Sequence, residues 1–323
     1  MSGPKKRGGK APAKSPSRPA KSPTSRAGGP RADRSKGPGS RGRAPAPGRG
    51  KGGAPGRRPG PPAQRTERGL DGTQVEGRHA VRELLLAGTR KVKEVLLAEQ
   101  MDPAEILDDI IDLAHDLKVP VREISKRRLD AESRTEASQG VVAHAAPLRD
   151  HGLDDLATGA PGGPAPFLVA VDGVTDPGNL GAIIRTAECA GVTGLLLPRH
   201  RAVHITPTVT KAAAGAVEHV PMTLVGGLPT AIADLKARGV WVVGLDAGGD
   251  RSLHQMGVAD QPVCLVLGAE GEGLSRLVRQ RCDEIVGIPL LGSLSSLNVA
   301  TAAALAIYEV VRSRADVSGR GGV

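Results

Sequence analysis

Five polar side chains, spread over three stretches of the chain, are of the types that bind phosphates and orient sugar hydroxyls. They are Asn179 and Arg185 in GNLGAIIR, Glu270 in GAEGEG, and Ser296 and Asn298 in SSLN. A guanidinium can hold a phosphate through two parallel hydrogen bonds and keeps its charge in proteins. Carboxamide, hydroxyl and carboxylate groups can orient a hydroxyl or an amine. Side chains of these types could therefore bind a phosphate and orient a hydroxyl.

Each of these side chains also has a purely structural interpretation. Ser296 and Asn298 precede an apolar segment and could cap the free N–H groups of a helix, which the residues alone favour. Asn179 could cap a helix in the same way. Arg185 could pair with the glutamate three residues further on, and Glu270 could simply be solvated in a loop. Composition alone leaves both interpretations open.

The elements that must position these residues alternate between strands and helices. Apolar runs predict strands over 167–171, 194–197, 220–224, 240–245, 263–267 and 285–289, and helices over 180–190, 209–217, 228–237 and 299–311. This alternation predicts an α/β fold with a parallel sheet and helices on both faces. The last helix is apolar except at Thr301 and Glu309, which predicts burial all round. Ligands of such sheets bind beyond the carboxyl ends of the strands, at loops 172–179, 246–250, 268–273 and 290–298.

Three ordered blocks resemble the signature motifs of the SpoU (TrmH-like) RNA ribose methyltransferases of the SPOUT superfamily. DPGNLGAIIRTAECAGV supplies Asn179, Gly181 and Arg185 of the first block, LVLGAEGEGLS matches the second, and IPLLGSLSSLNVATAAALAIYE matches the third. The chain resembles most the members that methylate a guanosine of rRNA. The resemblance implies a trefoil knot in the C-terminal part of the sheet, S-adenosyl-L-methionine as cofactor, and a homodimer whose protomers share the active-site region.

The resemblance also implies roles for individual residues. It places cofactor contacts, mostly through backbone groups, at Gly268, Ile288 and Leu297. It places catalytic residues at Asn179, Arg185, Glu270, Ser296 and Asn298. Arg185 would clamp a phosphate and favour the developing alkoxide, because a guanidinium cannot act as a general base. Asn179 would orient Arg185 or the ribose, and Glu270 would lie beside the RNA or the cofactor amine. Ser296 and Asn298 would hold the knot loop and position the nucleotide.

The N-terminal half is divided by its composition. Residues 1–70 carry 19 Lys+Arg and 2 acidic residues, a net charge of +17, which leaves 25 basic and 32 acidic residues, a net of −7, in the remainder. This Gly-, Pro- and Ser-rich stretch is predicted to be a disordered basic tail that tethers RNA, or else a solubilising arm. Residues 75–148 predict a small α/β domain, which resembles the substrate-binding domain of rRNA-modifying SpoU members. Residues 149–164 are interpreted as a flexible linker and residues 165–315 as the methyltransferase domain.

Other classes of protein find little support in the sequence. The glycine loops do not follow the dinucleotide pattern G-x-G-x-x-G, and the chain has no P-loop motif and no metal-ligand spacing. Cys189, Cys264 and Cys282 lie in apolar segments without a CxxC pair, so we interpret them as reduced core residues. The sequence has no signal peptide and no transmembrane run, which predicts a cytoplasmic protein that does not use membranes.

The sequence therefore predicts an S-adenosylmethionine-dependent RNA 2′-O-ribose methyltransferase. The extra N-terminal domain favours large-subunit rRNA as the substrate over tRNA. The alternatives are a tRNA ribose methyltransferase and a non-catalytic RNA-binding assembly factor with the same fold. One Trp, one Tyr and one Phe provide no platform for stacking bases, so recognition should depend on phosphates, 2′-hydroxyls and RNA shape.

Overall fold

The structure of the protein is a computed structural model that describes residues 69–200, 204–257 and 261–320, with side chains described as far as residue 315. The predicted basic tail lies outside these ranges except for Gly69 and Leu70. Within the described ranges, no helix is long and apolar enough to cross a membrane.

The N-terminal module is a mixed four-stranded sheet with helices on both faces. Its elements are β1 (Gln74–Glu76), α1 (Arg78–Ala87), β2 (Val92–Ala98), α2 (Glu105–Asp116), β3 (Val121–Ile124), α3 (Lys126–Glu132) and β4 (Val141–Ala145). The strand order is β1-β4-β2-β3, with β2 and β3 parallel and the other pairs antiparallel. This confirms the predicted small α/β fold. Helix α3 is absent from the prediction because it buries one apolar side chain, Leu129, and so has no readable periodicity.

The segment 149–164, predicted to be a flexible linker, contains a packed helix. Helix α4 (Leu153–Thr158) buries Leu156 and Ala157 in the core of the C-terminal domain. A Cβ atom added at Gly194 would lie 2.9 Å from Leu156 Cδ1, so this helix packs closely on the domain. The linker prediction is wrong for these residues, because a polar composition concealed two apolar side chains that find their partners only in the folded chain.

The C-terminal domain is built on a seven-stranded sheet in which every strand pair is parallel. Its elements are β5 (Phe167–Val171), α5 (Pro177–Cys189), β6 (Gly194–Pro198), α6 (Pro207–Ala212), β7 (Met222–Val225), α7 (Leu228–Ala237), β8 (Trp241–Leu245), β9 (Arg251–Ser252), β10 (Val263–Leu267), α8 (Arg276–Arg281), β11 (Glu284–Gly287) and α9 (Val299–Arg320). The strand order is β7-β6-β5-β10-β8-β11-β9. Helices cover both faces, with one large core on each. The predicted parallel α/β fold is confirmed.

Helix α9 is not buried all round, contrary to the prediction. Ala303, Ile307 and Val310 are fully buried, whereas Leu305 is 47% exposed and Tyr308 is 49% exposed. Residues three apart share one face of a helix, so these two side chains form an apolar strip on the surface of the single chain. An all-apolar sequence cannot show which face lacks a partner.

The three cysteines differ in burial. Cys264 is buried and Cys282 is half-buried, and burial raises the pKa of both thiols, that of Cys282 to about 12. Both therefore remain neutral thiols of the core at neutral pH. Cys189 is exposed at the end of α5, so its predicted place in the core is wrong.

A buried ion pair joins the module to the C-terminal domain. Arg90 donates from Nε and Nη2 to the two carboxylate oxygens of Glu218, at 2.8 and 2.6 Å. The Nη1 atom of Arg90 also donates to the carbonyls of Gly72 and Ala146, at 2.6 and 2.5 Å, which lie where the chain enters and leaves the module. The two charged side chains are only 6% and 0% exposed. One guanidinium thus connects both crossing segments to the neighbouring domain.

Replacing Arg90 with alanine should therefore destabilise the protein strongly. The change leaves the Glu218 carboxylate buried without its partner, and losing one partner of a buried pair costs about 3–5 kcal/mol. Urea denaturation measures this loss. The control is Arg122→Ala, which removes an exposed pair with Glu94 (3.2 Å) and should cost about 0–1 kcal/mol. Equal losses in the two variants would contradict the stabilising role assigned to the buried pair of Arg90 and Glu218.

Candidate active site

A cleft opens at the carboxyl ends of β8, β10 and β11, where the alternating fold predicts a ligand site. Its volume is about 200 Å³. The side chains and backbone that line it come from the ends of these strands, the glycine loop and the start of α9: Leu245, Asp246, Ala247, residues 267–273, Ile288, Leu290, Ser296, Leu297, Val299 and Ala302. Five residues predicted to act in the site, Gly268, Glu270, Ile288, Ser296 and Leu297, line this one cleft.

The glycine loop that forms one wall of the cleft is closed on itself. Ala269 N–H donates to Gly273 O at 3.0 Å and Gly273 N–H donates back to Ala269 O at 2.9 Å. A Cβ atom on Gly268 would lie 2.3 Å from the carbonyl carbon of Gly273, so the loop can close only with a glycine at position 268. The backbone at Gly271 and Gly273 has positive φ values of 80° and 68°. The loop sequence therefore specifies a rigid backbone surface.

Two aspartates that the sequence analysis did not single out anchor this loop. Asp246, directly after β8, accepts hydrogen bonds from Gly248 N–H at 2.9 Å and Leu274 N–H at 3.3 Å, and pairs with Arg279 at 2.9 Å. Partial burial raises its pKa, but these backbone donors and the guanidinium outweigh burial and hold the pKa below its ordinary value. Asp172, directly after β5, accepts from Ser275 N–H at 2.7 Å. In the sequence, the position of each aspartate immediately after a buried parallel strand could have indicated this role.

Three predicted catalytic residues form one hydrogen-bonded chain. Asn179 Nδ2 donates to Glu270 Oε2 at 3.2 Å, and Asn298 Nδ2 donates to Asn179 Oδ1 at 2.9 Å. Asn179 and Glu270 also border a second cleft of about 330 Å³ on the other side of the glycine loop. The side chains of the three sequence blocks thus meet between two clefts. We call these three residues the Asn–Glu–Asn chain.

The capping interpretations prove right for one asparagine and wrong for the other. Asn298 Oδ1 accepts from the N–H groups of Ala300 and Thr301 at 2.9 and 3.2 Å, so it caps α9 while also bonding to Asn179. Helix α5 begins at Pro177, and its cap is Asp176, whose carboxylate accepts from Asn179 N–H at 2.7 Å. The Asn179 side chain is therefore not a cap, which leaves it available to the Asn–Glu–Asn chain.

Arg185 stands apart from the other predicted residues. Its side chain is exposed, lines neither cleft, and forms no hydrogen bond or ion pair within the described part of the chain. The predicted alternative, a pair with Glu188, is therefore not seen. Arg185 lies six positions after Asn179 in α5, so the two side chains point about 120° apart around the helix. Asn179 therefore does not orient Arg185 within this chain.

No group of three or more His, Cys, Asp or Glu residues in the described ranges could hold a metal ion.

The fold and the site together define a class of protein. A parallel sheet with a glycine loop at its strand ends, preceded by a separate α/β module, is what the sequence resemblance to RNA ribose methyltransferases predicts. The profile of the SpoU rRNA Methylase family matches residues 166–308, and that of the RNA 2′-O ribose methyltransferase substrate-binding domain matches residues 74–151. The chain belongs to the SpoU family.

Curated and solved relatives agree with this assignment. The chain is 40% identical over 245 residues to the 23S rRNA (guanosine-2′-O-)-methyltransferase RlmB of Pseudomonas aeruginosa, covering 75% of this chain and 96% of that protein. The SpoU methyltransferase AviRb of Streptomyces viridochromogenes, solved with the cofactor AdoMet, has a TM-score of 0.63 and 30% identity, covering 75% of this chain and 90% of AviRb. An AdoMet-bound rRNA methyltransferase of Sinorhizobium meliloti has a TM-score of 0.61 and 25% identity, over 74% and 87% of the two chains. The protein is thus an S-adenosylmethionine-dependent RNA methyltransferase.

Proposed function

We propose that this enzyme methylates the 2′-hydroxyl of a guanosine in 23S rRNA, a substrate that would place it in the cytoplasm. The observation that carries the proposal is the similarity to the RlmB enzyme, which spans 96% of that protein and so includes the substrate-binding module as well as the methyltransferase domain. A substrate-binding domain of its own suits a large folded RNA.

The cleft suits the cofactor in shape and charge. Leu245, Ile288 and Leu297 provide apolar walls for an adenine ring, and the closed loop from Gly268 presents backbone groups at the strand ends. Glu270 is the carboxylate we assign to the positively charged amine of the cofactor or to the ribose. When bound there, S-adenosylmethionine would supply the methyl group: its bond from carbon to sulfur would break as a bond from carbon to the 2′-oxygen forms, which would leave S-adenosylhomocysteine, and the hydroxyl proton would pass to water.

The residues around the cleft position the nucleotide. In our proposal, Asn298 and Ser296 hold the loop over the cofactor. Asn179, which bonds to Asn298, fixes the position of the Glu270 carboxylate through its own hydrogen bond. Arg185 clamps the phosphate next to the target ribose and stabilises the negative charge that develops on the 2′-oxygen, since its guanidinium cannot accept the proton.

We further propose that the enzyme is a homodimer with the predicted trefoil knot near its interface. Two observations support a dimer: the apolar strip of Leu305 and Tyr308 on α9 has no partner within the described chain, and Arg185 does not reach the cleft of its own chain. In a dimer, Arg185 of one protomer would serve the cleft of the other. Light scattering should give twice the mass of the chain, and a monomer at working concentrations would remove this proposal.

The function is tested by mapping 2′-O-methyl groups on 23S rRNA and tRNA from cells with and without the gene. We expect one guanosine of 23S rRNA to lose its methyl group in the deletion strain and to regain it when purified protein and S-adenosylmethionine are added. Loss at a tRNA position alone would replace our substrate with tRNA. Cofactor binding without methyl transfer to either RNA would favour the non-catalytic assembly factor.

A further inference from the structure

The two faces of the N-terminal module differ in their charged side chains. Helix α2 contributes acidic side chains on one face: Glu105, Asp108, Asp109, Asp112 and Asp116. Helix α3 and the loop after it contribute four basic side chains, Lys126, Arg127, Arg128 and Arg134, together with the acidic Asp130, Glu132 and Glu136. The module as a whole has more acidic than basic residues, and three of its basic residues follow one another at the start of α3.

The alternation of the central strand shows that these two helices lie on opposite faces of the sheet. In β2, Val95 and Leu97 belong to the core under α1 and α2, whereas Leu96 belongs to the core under α3, which Leu129 completes. Successive side chains of a strand point to opposite faces. The sheet therefore separates the acidic helix from the basic one.

The four basic side chains, which we call the α3 cationic face, are exposed and unpaired. None of them forms an ion pair within the described part of the chain. Other arginines of the module do find carboxylates: Arg82 pairs with Asp109 at 2.9 Å and Arg122 with Glu94 at 3.2 Å. A cluster of unpaired cations on an otherwise acidic body suits a polyanionic partner.

The loop after α3 is fixed to the rest of the protein. The buried carboxylate of Glu76 accepts hydrogen bonds from the backbone N–H groups of Arg134 and Thr135, at 2.7 and 3.1 Å. Two residues after Thr135, Ala137 O accepts a hydrogen bond from Lys211 Nζ of helix α6. The α3 cationic face thus has a defined position relative to the methyltransferase domain.

Helix α6 connects the loop after α3 to the proposed site. Helix α6 packs against α5, the helix that carries Asn179 and Arg185, and a Cβ atom on Gly181 would lie 2.4 Å from Ala212 Cβ. Contacts therefore run without a break from the loop after α3, through α6, to the helix of the site. An RNA bound at α3 would be held at a fixed distance from the cleft.

We propose that the α3 cationic face binds the phosphate backbone of the substrate RNA. This proposal rests on the proposed function, because it takes RNA as the partner. The described module contains no Trp, Tyr or Phe to stack on bases, so the contact is electrostatic and insensitive to sequence.

Two triple variants of the full-length chain test the proposal. The test variant is Lys126→Gln, Arg127→Gln, Arg128→Gln. The matched control is Lys91→Gln, Lys93→Gln, Lys118→Gln, which removes the same charge from exposed, unpaired residues of the same module. The dissociation constant for a 23S rRNA transcript is measured by filter binding across a salt series, alongside cofactor binding by calorimetry and methyl transfer at saturating RNA.

We expect the test variant to bind RNA about tenfold more weakly and to flatten the salt slope by about 0.7–0.9 for each phosphate that it no longer neutralises. The control should change the dissociation constant less than about twofold, and both variants should keep their cofactor affinity and their rate at saturating RNA. An unchanged slope in the test variant, or an equal loss in the control, would overturn the proposal. If the wild-type protein methylates tRNA and not 23S rRNA, the proposed function fails, while the same comparison on tRNA still decides the role of the face.

Discussion

Replacing Arg185 with alanine should lower the rate of methyl transfer by about 100-fold or more while leaving the fold and cofactor affinity intact. The guanidinium is exposed, forms no ion pair or hydrogen bond within the described residues, and lies outside the cleft, so its removal costs the folded chain little. Its proposed contribution is to the developing charge on the 2′-oxygen, where losing one well-placed donor costs a factor of about 10²–10³.

Two further variants separate the proposed role from a structural one. Arg185→Lys keeps the charge but not the two-pronged geometry, so it should recover only part of the rate. Glu188→Gln should have no effect, because the structure shows no pair between Glu188 and Arg185. The measurements are single-turnover methyl transfer to 23S rRNA, calorimetry with S-adenosylmethionine, and thermal unfolding. Near-normal turnover in Arg185→Ala would refute the proposal that Arg185 binds the phosphate next to the target ribose. A large fall in melting temperature would show that Arg185 stabilises the fold.

A mixed dimer tests whether Arg185 acts on the cleft of the partner protomer. One chain carries Arg185→Ala and the other carries a damaged glycine loop, Gly268→Ala. If the arginine acts across the interface, one of the two sites in the mixed dimer combines an intact loop with an intact arginine. At a cofactor concentration too low to load the Gly268→Ala loop, activity should then recover to about half that of the wild type when the two impaired chains are combined. No recovery would place Arg185 in its own protomer's site.

The second large effect is expected at Gly268 itself. An added Cβ atom would lie 2.3 and 2.6 Å from the carbonyl carbon and oxygen of Gly273 and 2.6 Å from Leu274 N, all of them backbone atoms that no side-chain rotation can move away. Such overpacking costs about 1–3 kcal/mol, and the loop can relieve it only by opening. Gly268→Ala should therefore weaken cofactor binding by about tenfold to 100-fold.

The control for this substitution lies in the loop between β11 and α9. Gly292 has nothing within 4 Å of an added Cβ atom and no positive φ, so Gly292→Ala should leave the cofactor dissociation constant within about twofold of the wild type. Calorimetry with S-adenosylmethionine distinguishes the two variants. Equal affinities would mean that the closed glycine loop does not shape the cofactor site.

The sequence alone determined the framework of this protein. Short apolar runs bounded by glycine or polar residues gave the strands from Phe167 to Leu267, because a strand buried on both faces carries its signal in its own few residues. The same runs located the binding loops, since the carboxyl ends of parallel strands lie on one edge of the sheet. Three ordered blocks then indicated the family, which the comparisons confirm.

Only the tertiary structure decided which polar groups meet. Asn179 bonds to Glu270 across 91 residues of sequence and to Asn298 across 119, and no local pattern encodes such distances. The same holds for the buried pair of Arg90 and Glu218, which lie 128 residues apart and each resemble an ordinary surface charge in the sequence. The spacing of apolar residues shows which side of a helix or strand is buried. A contact between distant segments depends instead on which strand ends lie next to each other in the folded sheet. For that reason most elements of this fold could be predicted from their own residues, although α3 and α4 were missed. The Asn–Glu–Asn chain, the loop anchor at Asp246 and the ion pair between the domains became visible only in the folded chain.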